Sequence, residues 1–184
     1  MLKLVVVLLC MLGGACTHHY VPAPYLLAHD RIPLVRASAP VTIVNAQTRM
    51  GRELLFESGV HTWQGDPHVI TQHFAEQLAQ ALVEVGVPAA VASGPAPKRL
   101  DVAITSITAR RAFFHFQGEV ALSVTTGDGE KFELVAGNGS PGSVDRTLNG
   151  TLAIAVLETL KHPGVRAYLA RPRRATPRAA LSRR

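Results

Sequence analysis

The chain has 184 residues, of which 47% are hydrophobic, enough for one ordinary domain with appendages. Its net charge of +6 is unevenly placed: residues 171–184 carry six arginines and no acid, so residues 1–170 are neutral as a group. The high pI therefore belongs to a tail and gives no reason to read the body as a nucleic-acid binder. The two cysteines, Cys10 and Cys16, both lie in the first sixteen residues, which excludes a disulfide framework or a cysteine-based metal site in the body.

Met1-Leu2-Lys3 opens with one positive charge, and Leu4 to Leu12 is an apolar run of nine residues. Gly13-Gly14-Ala15 follows, then Cys16. A charged start, a short apolar stretch and small residues form the layout of a secretory signal peptide over residues 1–15. The run is too short to span a bilayer, which takes ~20 apolar residues. Small residues directly before a cysteine resemble a lipobox, with cleavage after Ala15 and lipid attached to Cys16. The departure is Leu12, which sits four residues before the cysteine where the usual pattern has it three before. Ordinary cleavage after Ala15 is the competing reading, and it would leave a free thiol at the mature N-terminus. Thr17, in place of an Asp after the cysteine, implies outer-membrane sorting on the enteric pattern, with the domain facing the periplasm. A soluble periplasmic protein is the alternative.

Residues 16–40 contain Pro22, Pro24, Pro33 and Pro40 without periodicity, and read as a tether. Val41 to Val44 is β-branched and predicts a first strand. Residues 47–65 fit either a hairpin strand or a packed loop. Asp66 as N-cap and Pro67 at the first helical position open a helix with an apolar stripe at Ile70, Phe74, Leu78, Leu82 and Val85. Gly86 and Pro88 stop it, and residues 87–98 read as a Pro/Ala loop.

Leu100, Val102 and Ile104 alternate with more polar neighbours, the pattern of a half-buried strand. Extended chain is expected to continue through Phe113-Phe114, with Gly118 as a turn or bulge. Val120, Leu122 and Val124 begin the next strand, and Thr126-Gly127-Asp128-Gly129 a hairpin turn into Phe132, Leu134 and Ala136. A second helix is predicted from about Ser143 to Lys161, on the repeat Leu148, Leu152, Val156, Leu160. Gly150 inside it costs ~1 kcal/mol against Ala, so this helix depends on packing. The expected fold is α+β: an antiparallel sheet of about three to five strands with two helices on one face. Its single domain would span residues 41–165, with 166–184 as a basic tail.

Few patterns point to chemistry. Gly137-Asn138-Gly139-Ser140-Pro141-Gly142 matches G-x-G-x-x-G, but a dinucleotide site needs a βαβ unit and a later acid, and neither follows. His68 and His73 are five apart and do not share a helix face. His18-His19 beside Cys16 would suit a metal ion only with a free thiol. No cofactor or metal is expected, and no enzyme, since catalysis would need a pocket gathering several of His61, His68, His73 and His115 with the acids. The arginine tail (Arg171, Arg173, Arg174, Arg178, Arg183, Arg184) reads as solvated chain or as a contact for anionic lipid, lipopolysaccharide or cell-wall polymer. Export argues against nucleic acid as its partner.

Together these residues resemble the YajG-type family of bacterial envelope lipoproteins over about residues 40–165. The likeness rests on Val41-Thr42-Ile43 after a Pro-rich stretch and on the helix ending in Leu82-Val83-Glu84-Val85-Gly86-Val87. It continues through Lys98-Arg99-Leu100-Asp101-Val102, the long hairpin and the closing helix that runs into His162-Pro163-Gly164-Val165. LptE-type and PqiC-type accessory lipoproteins have a similar layout. The resemblance implies a periplasm-facing accessory protein that binds or scaffolds in the envelope, or an auxiliary component of a lipid or lipopolysaccharide transport machine. The only functional residue it carries over is the lipidated cysteine.

Overall fold

The computed structural model describes residues 16–172 apart from 26, 28 and 95. Among the described residues eight strands form: β1 (Cys16–His19), β2 (Val41–Asn45), β3 (Glu53–Ser58), β4 (His61–Gly65), β5 (Ala89–Val91), β6 (Lys98–Ala112), β7 (His115–Thr126) and β8 (Lys131–Ser140). Three α-helices accompany them: α1 (Pro67–Glu84), α2 (Val144–Lys161) and α3 (Pro163–Ala170). The class is α+β.

The main sheet has five strands in the order β5-β2-β6-β7-β8 and is mixed, not antiparallel throughout. β2 runs parallel to both β5 and β6, while β6, β7 and β8 form the antiparallel meander. Alternation in a sequence reports which face is buried and says nothing about strand direction. Direction follows from the connection: the path from β2 through α1 to β5 and β6 is long enough to return the chain to the same end of the sheet, as parallel neighbours require. β5 lies inside the stretch read as a loop, too short at three residues to show a pattern. A separate three-stranded sheet, β1-β4-β3, includes the segment whose reading was open between hairpin and loop.

Two local predictions are met closely. Asp66 caps α1, its carboxylate accepting from the His68 amide at 2.8 Å, and Pro67 takes the first helical position. Ser143 caps α2 by accepting from the Arg146 amide at 3.2 Å. One turn is elsewhere. The chain reverses at Phe113-Phe114, not at Gly118, and Ala112 pairs with His115. Phe113 takes a left-handed φ of +44°, where Gly or Asn is the usual choice.

Gly118 is a strand residue with a different task. A Cβ there would run into the Thr151 hydroxyl and sit 3.1 Å from Thr147 Cγ2, both on α2. Gly150 on α2 is its counterpart, because a Cβ there would strike the Asn138 amide on β8. Glycine on each side lets the helix backbone settle directly on the sheet. Thr147, Thr151 and Thr159 are buried on this helix and satisfy their hydroxyls on the carbonyls of Ser143, Thr147 and Ala155. Leu148, Leu152, Val156 and Leu160 fill the space between α2 and Val120, Leu122 and Val124.

Both domain boundaries move outward. The stretch read as a tether is packed: Tyr20 is 3% exposed, and Ile32 and Val35 join the core. The Tyr20 hydroxyl donates to Asn149 Oδ1 on α2 at 2.7 Å. Burial, with Asp145 adding to it, pushes the Tyr20 phenol far above its ordinary pKa. Isolated anchors in an irregular, proline-rich segment leave no periodicity to detect. At the other end, residues 166–170 are helix α3 and not tail, with Val165, Tyr168 and Leu169 buried. Buried Lys98 donates to the Tyr168 carbonyl at 2.6 Å and lies over the tyrosine ring. Burial lowers its pKa, Arg171 lowers it further, and Asp128 partly offsets them.

Three sets of outcomes are expected, for the glycines, for Tyr20 and for acid. Gly118→Ala should lose about 1–3 kcal/mol by overpacking against α2, measured by urea unfolding. Gly137→Ala, exposed on β8 with its nearest new neighbour at 3.5 Å, should change stability by no more than ~0.5 kcal/mol. Tyr20→Phe should lose about 1 kcal/mol with the Asn149 bond. Tyr20→Ala should lose about 3–5 kcal/mol and open Arg31 and Arg36 to trypsin. The third set concerns acid. Desolvation opposes ionisation of Asp66, but the amides of His68, Gly51 and Val69 hold its carboxyl below the ordinary value. A depressed folded pKa stabilises above the unfolded value of about 4 and fades as pH falls through the folded one. The stability gap between the native chain and Asp66→Ala should therefore be flat above about pH 4 and shrink below it.

Candidate site at the Cys16 end of the domain

Cys16 is exposed and is the first residue of β1. Its amide donates to the Val60 carbonyl in the β3–β4 turn at 2.7 Å, and β1 then runs parallel to β4 with Cys16 opposite His61. An acylated amino group keeps an N–H, so this bond is compatible with lipid on the residue. Ala15 lies outside the described residues.

Side chains two apart on a strand share a face, so Cys16 and His18 on β1 line up with His61 and Trp63 on β4. The His18 ring stacks on Trp63 at 4.3 Å, and its Nε2 meets His61 Nδ1 at 3.0 Å. One ring donates and the other accepts in that bond. His19 turns to the other face and meets Arg52 at 3.1 Å. The sequence placed His18 beside Cys16 but not beside His61; only the parallel register, forty-three residues apart, brings them together.

The remaining candidates are dispersed. His68 meets the Gln47 carbonyl at 3.0 Å beside the α1 N-cap, and His115 meets Gln117 at 3.1 Å on the long hairpin. His73 lies farther along α1. Among the described residues no group of three His, Cys, Asp or Glu is placed to hold a metal ion. The glycine motif is absorbed by structure. Gly137 and Gly139 lie inside β8, opposite Glu119 and Gln117 of β7, and Gly142 alone is in the turn before α2. Thr108, Arg110, Gln117 and Glu119 with Gly137 and Gly139 line an open, polar depression of about 540 Å³ on the sheet.

The two ends of β6 differ. Arg49 on the approach to β3 bonds the Ile104 carbonyl at 2.8 Å, and Phe56 meets Phe116 edge-on at 5.6 Å, opposite Arg111. The chain from Arg49 to Phe56 thus advances along β6 toward the Phe113-Phe114 turn. The β3–β4 turn and Cys16 lie at that same end. Arg171, at the root of the tail, is at the other, where it pairs with Asp128 at 2.8 Å beside the start of β6. The other five tail arginines lie outside the described residues. Fifteen residues of β6 separate the two ends by roughly 45–50 Å.

No helix among the described residues is long and apolar enough to cross a membrane. No family model and no curated protein matches the chain. It is similar to the solved structure of a hypothetical protein from Chlamydia trachomatis, at 13% identity and a TM-score of 0.42, over 72% of this chain and 98% of that one.

Proposed function

We propose that the protein is a lipid-anchored, periplasm-facing envelope lipoprotein, without catalytic activity, that binds or scaffolds between its membrane and a second anionic surface. The observation that carries this reading is the polarity of the domain. The lipobox-like cysteine is at one end of β6, and the root of the arginine tail is at the other. The tail therefore leaves the domain at the end away from the anchoring membrane. Cell-wall polymer, or lipopolysaccharide presented from elsewhere, suits its charge. Three lipid chains on Cys16 exceed the two signals that stable anchoring takes, at ~0.8 kcal/mol per buried CH₂. Outer-membrane sorting is part of the proposal, on Thr17. The resemblance to YajG-type lipoproteins supports an accessory role.

Mass spectrometry of the mature N-terminus tests the anchor: a diacylglycerol thioether with N-acylation on Cys16 is expected, and Cys16→Ala should leave the membrane fraction. An unmodified Cys16 would remove the assignment. Deleting residues 173–184 should weaken pull-down by purified cell-wall polymer, with the lost part sensitive to salt, and leave membrane fractionation unchanged. Equal pull-down by the full and shortened chains would sink the tail's role.

A further inference from the structure

We propose that the tip of the β6–β7 hairpin inserts into the anionic lipid surface that carries the Cys16 anchor, so that the domain sits on the bilayer at two points. The inference rests on the lipoprotein reading above and adds a second contact to it.

Phe113 and Phe114 form the whole two-residue loop of this hairpin, and they are 91% and 95% exposed. Neither is a turn former, and Phe113 holds a φ of +44° that a bulky side chain takes only at a cost. Folding gains nothing from either ring, since both are in water. An Asn or Gly at the first position would relieve the backbone.

The surroundings select lipid as the occupant. Arg110 and Arg111 precede the loop, exposed and on opposite faces of the hairpin, and no acid occurs between Asp101 and Glu119. Two aromatic rings at a tip with arginines just behind match the layering of a bilayer interface, with apolar groups at the acyl boundary and cations at the phosphates. Position agrees independently. The β3–β4 turn, with exposed Val60, and Cys16 lie at this end of the molecule. Cys16 is hydrogen-bonded into the sheet with no tether between it and the domain, so lipid on it holds this end against the membrane.

The test uses unacylated chain carrying Cys16→Ser, mixed with vesicles of phosphatidylcholine with or without phosphatidylglycerol. Cosedimentation should favour the vesicles with phosphatidylglycerol. Phe113→Asn/Phe114→Ser should lower partitioning at least about tenfold while leaving the thermal midpoint unchanged or raised. In a chain with Trp63→Phe, a tryptophan probe made by Phe114→Trp should shift to the blue and be quenched by brominated lipid. Equal partitioning of the native and Asn/Ser tips would overturn the proposal, as would a probe still open to aqueous iodide. So would absent vesicle binding with a tip-dependent protein partner in its place. Because this assay needs no acyl chain, failure of the anchor reading shows separately, as an unmodified Cys16 by mass.

Discussion

The seating of α2 on the main sheet governs the rest of the molecule. Gly118 on β7 and Gly150 on α2 remove the side chains that would hold the two layers apart, and the Thr147 and Thr151 hydroxyls fold back onto their own helix. An interior glycine is a poor helix former, at ~1 kcal/mol against alanine. It persists here because the approach lets Leu148, Leu152 and Val156 reach Val120, Leu122 and Val124. Asn149, one residue before that glycine, then faces the incoming N-terminal segment and holds Tyr20. The same helix therefore fixes the meander beneath it and the chain that leads from Cys16.

That second attachment alters how an anchored domain behaves. A flexible tether would let the domain explore a volume above the membrane in any orientation. With Cys16 in β1 and Tyr20 buried against α2, the fold fixes Cys16 relative to the domain, so under the proposed anchor it would also set the domain's orientation. The stack of His18 on Trp63 reinforces β1 against β4 at that end. At the far end, Lys98 and the Tyr168 hydroxyl bind α3 to the start of β6, the latter accepting from the Arg99 and Gly127 amides at 3.0 and 3.2 Å.

The long hairpin shows where local rules give way. Its strands follow ordinary alternation, with a register shift between Ile104 and Ser106 that changes which residues face the core. Its loop does not follow turn chemistry, and for that reason Gly118 was the natural place to expect the reversal. A departure from local preference that contributes nothing to burial marks a position whose residues answer to something other than folding.

Much was legible in the sequence because it rests on local physics. Asp66-Pro67 and Ser143 mark helix starts through groups that need a partner within three residues, and the stripes from Ile70 to Leu82 and from Leu148 to Leu160 follow from the helical period. The α+β class follows from the order of those elements. The neutral body, the cysteine-free core and the concentration of charge after residue 170 are likewise properties of the chain alone. Tertiary structure decided what depends on distant residues. Parallel pairing of β2, the burial of Tyr20, Ile32 and Val35, and the extension of the domain through α3 each join segments with no shared local signal. The meeting of His18 with His61, and the separation of Cys16 from Arg171 along β6, belong to the same class: alternation encodes a face, but only the assembled sheet assigns neighbours and ends.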